Sequence, residues 1–137
     1  MPTIAIGKLA ETCGVNIDTV RYYERQDLLH PSERTPSGYR RYDQGGVKRL
    51  KFIRKAQGLG FTLAEIKTLL GLAENDEADC GDIRKLARQK ITELEPRIAD
   101  MLKIKQGLEA LAKYCPGSGK PLSECTILEY FYAEDKQ

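Results

Sequence analysis

Three of the four cysteines in this 137-residue chain stand where a thiolate site would be built. Cys80 comes just before a long run of helical periodicity, and Cys115 and Cys125 bracket the loop CPGSGKPLSEC just after it. Thiolates favour soft ions, and a chain kept in a reducing compartment does not use its cysteines for structural disulfides. A second set of chemistry-bearing residues lies in NIDTVRYYERQDLLHPSERTPSGYRRY, residues 16–42. Arg21 and Arg25 are one helical turn apart, and Arg34, Tyr39, Arg40 and Arg41 follow in a turn-rich segment. A short basic and aromatic helix followed by a basic hairpin is how a winged helix-turn-helix meets DNA. Nothing comparable points to an enzyme. The chain has no nucleotide-binding glycine loop and no convincing nucleophile–base pair, and its one histidine, His30, lies outside the acidic half.

The elements that must carry these residues are marked locally. Asn16 is placed to cap a helix by accepting from the amide of Thr19, with Asp18 favourable at the positive end of the helix dipole. Tyr22 and Tyr23 differ by about 100° around that helix, so one ring faces the core and the other phenol faces solvent or phosphate. Ile6, Leu9 and Ala10 supply the apolar face of a preceding helix that turns at Gly14, and Cys13 reads as a small buried residue in that tight pair. Pro31, Pro36, Ser37 and Gly38 mark the turns of a hairpin, and YRRY alternates as a short strand. Taken alone, that hairpin would equally suit a solvated basic surface. Asp43 opens a helix through Gln57 with Val47, Leu50, Phe52, Ile53 and Ala56 on its apolar face. Thr62 and Glu65 form a capping box for the next helix, whose apolar positions are Leu63, Ile66, Leu69 and Leu70.

Charge divides the chain. Residues 1–72 hold 12 Lys and Arg against 7 Asp and Glu, and residues 73–137 hold 10 against 13. The basic half suits a phosphate polymer and the acidic half a separate task. The polar segment 73–81 reads as a linker. From Asp82 to Lys113, apolar residues recur at spacings of three and four through Ile83, Leu86, Ala87, Ile91, Leu94, Ile98, Met101, Leu102, Ile104, Leu108 and Leu111. A helix of about 45–50 Å outruns so small a domain and asks for a partner, most simply a second copy in a coiled coil, which also suits two DNA half-sites. Pro96 should bend or loosen it. Cys80 and Cys115, at opposite ends of that helix, cannot meet within one chain. In an antiparallel dimer, Cys80 of one protomer lies beside Cys115 and Cys125 of the other, giving two sites per dimer. The expected fold is therefore mainly α: a winged helix-turn-helix over 1–72, the linker 73–81, a dimerisation helix over 82–113 forming an antiparallel coiled coil, and a metal-binding loop with a short helix over 114–137. No apolar run is long enough to span a membrane and no leader opens the chain, so a cytoplasmic protein is expected.

These motifs together resemble the MerR family of metal-responsive transcription regulators along nearly the whole chain. IGKLAETCGVNIDTVRYYERQDLL resembles the family's helix-turn-helix, RTPSGYRRY its wing, RLKFIRKAQGLGFTLAEIKTLL its next two helices, and the three cysteines its heavy-metal branch. The resemblance implies a homodimer on palindromic double-stranded promoter DNA that, when loaded with metal, distorts an over-long spacer until RNA polymerase can use it. By position it implies DNA contacts from Arg21, Tyr23, Arg34, Tyr39 and Arg40, with Thr19 reaching toward base edges and Arg54 toward the backbone. The cysteine at position 80 separates the chain from copper(I) sensors, which carry a serine there. Zinc sensors add a second cysteine beside the first loop cysteine and a histidine in the loop, whereas Tyr114 precedes Cys115 here. Three thiolates favour mercury(II), with lead(II) or cadmium(II) next; an oxygen from Asp79, Asp82 or Glu124 would keep zinc(II) open. A thiol redox sensor using Cys115 and Cys125 as a reversible disulfide is the alternative of a different class. An organic-effector regulator would need a larger carboxy-terminal domain.

Overall fold

Gly14 and Asn16 set the geometry of the first helix pair. In the computed structural model, which describes residues 2–134, Gly14 ends α1 (Ile6–Cys13) in the left-handed conformation, φ 69°, and its amide returns to the carbonyls of that helix. Only a residue without a Cβ adopts this conformation at little cost. Asn16 opens α2 (Ile17–Arg25) two residues later, its side chain accepting from the amide of Thr19 at 2.8 Å. A chain reversal this short leaves the two helices no choice but to pack, through Leu9 and Ala10 on one side and Val20 and Tyr23 on the other.

Strand β1 (Ile4–Ala5) runs directly into α1. After α2, Asp27 takes a positive φ of 62°, a conformation Asp tolerates better than most side chains, and the buried pair Leu28 and Leu29 follows. The hairpin consists of β2 (Glu33–Arg34) and β3 (Arg40–Tyr42), antiparallel with Arg34 opposite Arg40. Strand β3 also pairs with β1, so the sheet order is β1-β3-β2. The expected wing is thus anchored at its base to the amino-terminal strand.

Helix α3 (Gln44–Gly58) begins under an Asp43 cap, and α4 (Leu63–Ala73) begins with both bonds of the Thr62/Glu65 capping box in place. Leu50, Ile53 and Ala56 of α3 meet Ile66, Leu69 and Leu70 of α4 in one core with Tyr42. Phe52, expected on the apolar face of α3, is instead 36% exposed, because residue 52 lies about 100° away from Ile53 on the helix.

Helix α5 spans Cys80–Tyr114, starting two residues before the expected Asp82. The cause is a reciprocal cap: the amide of Asp79 donates to Asp82 Oδ2 at 3.0 Å, and the amide of Asp82 donates to Asp79 Oδ1 at 3.2 Å. The helix passes Pro96 without a break, so the expected loosening does not interrupt it. Glu93 spans that point, bonded to Lys90 at 3.1 Å on one side and to Arg97 at 3.1 Å on the other. A short turn of 3-10 helix (Leu122–Glu124) and helix α6 (Thr126–Tyr132) follow. The described residues fall into two compact units divided between Ala87 and Arg88, inside α5. Leu86, in the first turns of α5, packs against the core of the amino-terminal unit. Of the segment expected to run to 137, residues 135–137 lie outside the described residues. No described helix is long and apolar enough to cross a membrane.

Candidate nucleic-acid interface and metal centre

The outward face of α2 follows from its buried one. With Val20 and Tyr23 turned into the core, Asp18, Arg21, Tyr22 and Arg25 are left on the solvent side. Arg21 is half exposed, with Nη1 3.9 Å from Asp18. Arg25 lies over the ring of Tyr22, 5.9 Å from its centre. Thr19 is partly buried, and its hydroxyl donates to Asn16 Oδ1 at 2.8 Å, so the side chain doubles the helix cap. Tyr23 is only 2% exposed. Its hydroxyl donates to Gln57 Oε1 and accepts from Arg54 Nη1 at 3.4 Å. The ring is therefore core, and among the two tyrosines it is Tyr22, absent from the predicted contacts, that holds the exposed position. The helical offset of neighbouring residues says that the two rings face different ways, and the packing of α2 against its neighbours decides which one is buried.

In the wing, the tip is shaped by Thr35, whose side chain accepts from the amide of Tyr39 at 3.0 Å while its own amide donates to the Tyr39 carbonyl at 2.9 Å. This lifts Tyr39 to 71% exposure. Arg34 is exposed on β2. Arg40 is held back toward α2, its Nε 2.7 Å from Glu24 Oε2. Arg41, counted in the basic hairpin, instead donates to the Thr3 carbonyl at 2.8 Å and to the Thr3 hydroxyl at 3.2 Å, tying β3 to the residue before β1. Arg54 is exposed on α3. Six of the seven predicted DNA-contacting residues thus keep surface, and Tyr23 does not.

The cysteines separate by role. Cys13 is partly buried, its thiol directed at the Val47 carbonyl at 3.9 Å, and burial pushes its pKa up against a smaller opposing pull from Lys51. Cys80 is exposed as the first residue of α5. Asp79 and Asp82, the two flanking carboxylates considered as oxygen donors, are engaged in the reciprocal cap. Cys115 and Cys125 come together in the carboxy-terminal unit. Cys125 precedes the first turn of α6, where the amide of Leu128, then that of Ile127, then the Cys115 thiol hold its pKa below the ordinary thiol value. The amides that favour its thiolate come from the first turn of α6. The Thr126 hydroxyl donates to the Tyr114 carbonyl at 2.9 Å, fastening the start of α6 to the end of α5 and so one cysteine beside the other. All four thiols are free.

The same unit carries an apolar surface. Ile98, Met101, Leu102, Ile104 and Leu108 are each more than half exposed on α5. A groove of about 580 Å³ is lined by Ile104, Leu108, Leu111, Tyr114, Tyr130 and Phe131, the last two in edge-to-face contact at 5.8 Å.

The chain matches the family described as "MerR HTH family regulatory protein" over residues 4–72 and that described as "MerR, DNA binding" over residues 47–111. It is 47% identical over 124 residues to the mercuric resistance operon regulatory protein of Bacillus cereus, a match covering 90% of this chain and 93% of that one. It is 37% identical over 125 residues to the HTH-type transcriptional regulator ZntR of Escherichia coli K12, covering 90% and 89%. Among solved structures it is similar to the transcription regulator PbrR691 from Ralstonia metallidurans CH34 in complex with lead(II), with a TM-score of 0.77 and 29% identity over 93% of this chain and 98% of that one.

Proposed function

The chain belongs to the MerR family of transcription regulators, whose members are not enzymes, and on that premise we propose that it is a homodimeric sensor of a soft divalent metal, mercury(II) first, that activates metal-resistance genes by distorting promoter DNA. The observation that carries this reading is the pairing of Cys115 with Cys125 at the start of α6, with the remaining exposed thiol, Cys80, at the far end of a 35-residue helix. Among the described residues of one chain, no three His, Cys, Asp or Glu side chains gather into a metal-holding group. A site of three thiolates then needs Cys80 from a second protomer, which an antiparallel pairing of α5 supplies. The bare apolar stripe of α5 and the groove beside α6 give such a pairing its surface.

The donor set fits the ion. Cys125 is biased toward thiolate by amides, Cys115 touches it, and three sulfurs suit an ion that accepts low coordination. Bound there, the ion would supply a link between the loop of one protomer and the α5 start of the other. The protein's own residues do the rest. Asp79 and Asp82 fix the turn that presents Cys80; Thr126 and Tyr114 fix the loop; Arg21, Arg34, Tyr39, Arg40 and Arg54 hold the DNA backbone, with Thr19 near base edges. Tyr23 serves from the core, through Arg54. A dimer gripping two half-sites in this way can bend and untwist the spacer between them, making it usable by RNA polymerase.

Mercury(II) ranks first because the proposed site offers three thiols while Asp79 and Asp82 are engaged in the helix cap, and because the mercuric regulator of Bacillus cereus is a nearer relative than ZntR. Lead(II), cadmium(II) and zinc(II) are the other arms of the test. The reduced dimer is titrated with each, and with copper(I), against a competing thiol while thiolate-to-metal absorption is followed. Tight uptake of two mercury(II) ions per dimer, lost in Cys80→Ser, is the expected result; preference for another ion reassigns the metal. The paired loop thiols also favour a second reading, oxidation of Cys115 and Cys125 to a disulfide as the signal. In that case Cys80→Ser responds like wild type, and no ion is taken up.

A further inference from the structure

Gln57 is the residue that the DNA interface leaves unexplained. It sits in the last turn of α3, three residues after Arg54, half-buried, with its side-chain oxygen accepting from the Tyr23 hydroxyl. A phenol has one proton to give. Given to Gln57, it leaves a lone pair facing Arg54, whose Nη1 donates to that oxygen at 3.4 Å. The ring cannot move, since Tyr23 is packed in the core with Val20, Leu50 and Ile53. The polarity of the hydroxyl is therefore decided by Gln57 alone. Without that acceptor the hydroxyl rotates freely and can turn its proton toward the guanidinium, which repels it.

We infer that Gln57 is a positioning residue for DNA binding: through the Tyr23 hydroxyl it holds the Arg54 guanidinium in place to meet a phosphate of the duplex. The inference rests on the assignment of Arg54 as a backbone contact made above. A long, exposed arginine loses rotamer freedom when it grips a phosphate, and a fixed acceptor on one guanidinium nitrogen removes part of that cost beforehand. A buried tyrosine hydroxyl also needs a partner for stability alone. The two roles differ in what they move: stability moves the thermal midpoint, whereas a prepared phosphate contact moves the salt dependence of binding.

The test uses the full-length dimer and a duplex selected by the wild-type protein from a random-sequence pool, with affinity measured across salt concentrations. Arg54→Ala should weaken binding about tenfold or more and flatten the slope of log K against log salt by about 0.9, as loss of one phosphate contact does. Gln57→Met, which keeps the length and removes the acceptor, should weaken binding on the order of fivefold and move the slope toward the Arg54→Ala value. In the Arg54→Ala background it should add nothing. Tyr23→Phe, which keeps the ring, should reproduce the slope change even if Gln57→Met proves unstable. An unchanged slope in Gln57→Met and Tyr23→Phe, or an undiminished effect of Gln57→Met in the Arg54→Ala background, overturns the positioning role while Arg54 stays a contact. Wild-type affinity and slope in Arg54→Ala itself overturn the contact, and the positioning role falls with it.

Discussion

Cys125 and Cys13 carry the same thiol in opposite surroundings. At Cys125 the Leu128 amide, helped by Ile127 and Cys115, lowers the pKa, so the thiolate fraction at neutral pH rises; at Cys13 burial raises the pKa, so it falls. Alkylation of the metal-free, reduced protein with iodoacetamide at pH 7, followed by peptide mass analysis, should therefore label Cys125 well before Cys13; equal rates would remove the local account of both. Arg40 carries a second residue-scale prediction. Its removal takes away a wing cation and leaves the Glu24 carboxylate, 11% exposed, without its partner. Arg40→Ala should weaken DNA binding with a shallower salt slope and also lower stability by on the order of 1–2 kcal/mol in a denaturant titration. A mutant that loses affinity at full stability would mean that the Glu24 contact is dispensable. The Asn16 cap was legible from residue type alone, because few side chains accept from an amide three positions ahead. The burial of Tyr23 was not, since which of two adjacent tyrosines turns inward depends on where α1 and α3 pack.

At the scale of elements, caps decide where helices begin. Thr62 with Glu65 is a sequence pattern that the structure reproduces in both bonds, and Thr62→Ala should cost about 1 kcal/mol of stability. The Asp79/Asp82 cap does the same for α5, yet Asp79 closes a run of polar residues and reads as linker, because the apolar periodicity that marks the helix begins only at Ile83. That is why the helix starts at Cys80 rather than Asp82. For the proposed site the cap matters because it sets the backbone turn from which Cys80 projects. A Cβ added at Gly81 would lie 2.9 Å from Asp79 Oδ1 and disturb the cap without touching a sulfur. Gly81→Ala should therefore weaken metal uptake several-fold in a competition titration while Cys115 and Cys125 keep their alkylation rates. Unchanged uptake would show that the turn before α5 has no part in presenting Cys80.

At the scale of the molecule, the division into a basic half and an acidic half, the long apolar helix and the cysteines at its two ends were all legible in the sequence. Each follows from charge or periodicity along one chain. The amides around Cys125 and the anchoring of the wing to β1 were hidden, because they join residues whose proximity only the folded chain creates. In the proposed dimer the exposed stripe of α5 is the surface on which the rest depends: Met101→Asp, at a position 69% exposed in one chain, should shift sedimentation toward monomer and abolish DNA binding together. A monodisperse dimer from that variant would place the interface elsewhere. The central claim, a site built from Cys80 of one protomer and Cys115 and Cys125 of its partner, is tested most directly by a mixed dimer. One protomer carries Cys80→Ser and the other carries Cys115→Ser and Cys125→Ser, and mercury(II) uptake is counted per dimer against a competing thiol. A site shared across protomers predicts one tightly held ion, because one complete set of three thiols survives. No tightly held ion would contradict the account, since a site contained within each chain would be broken in both.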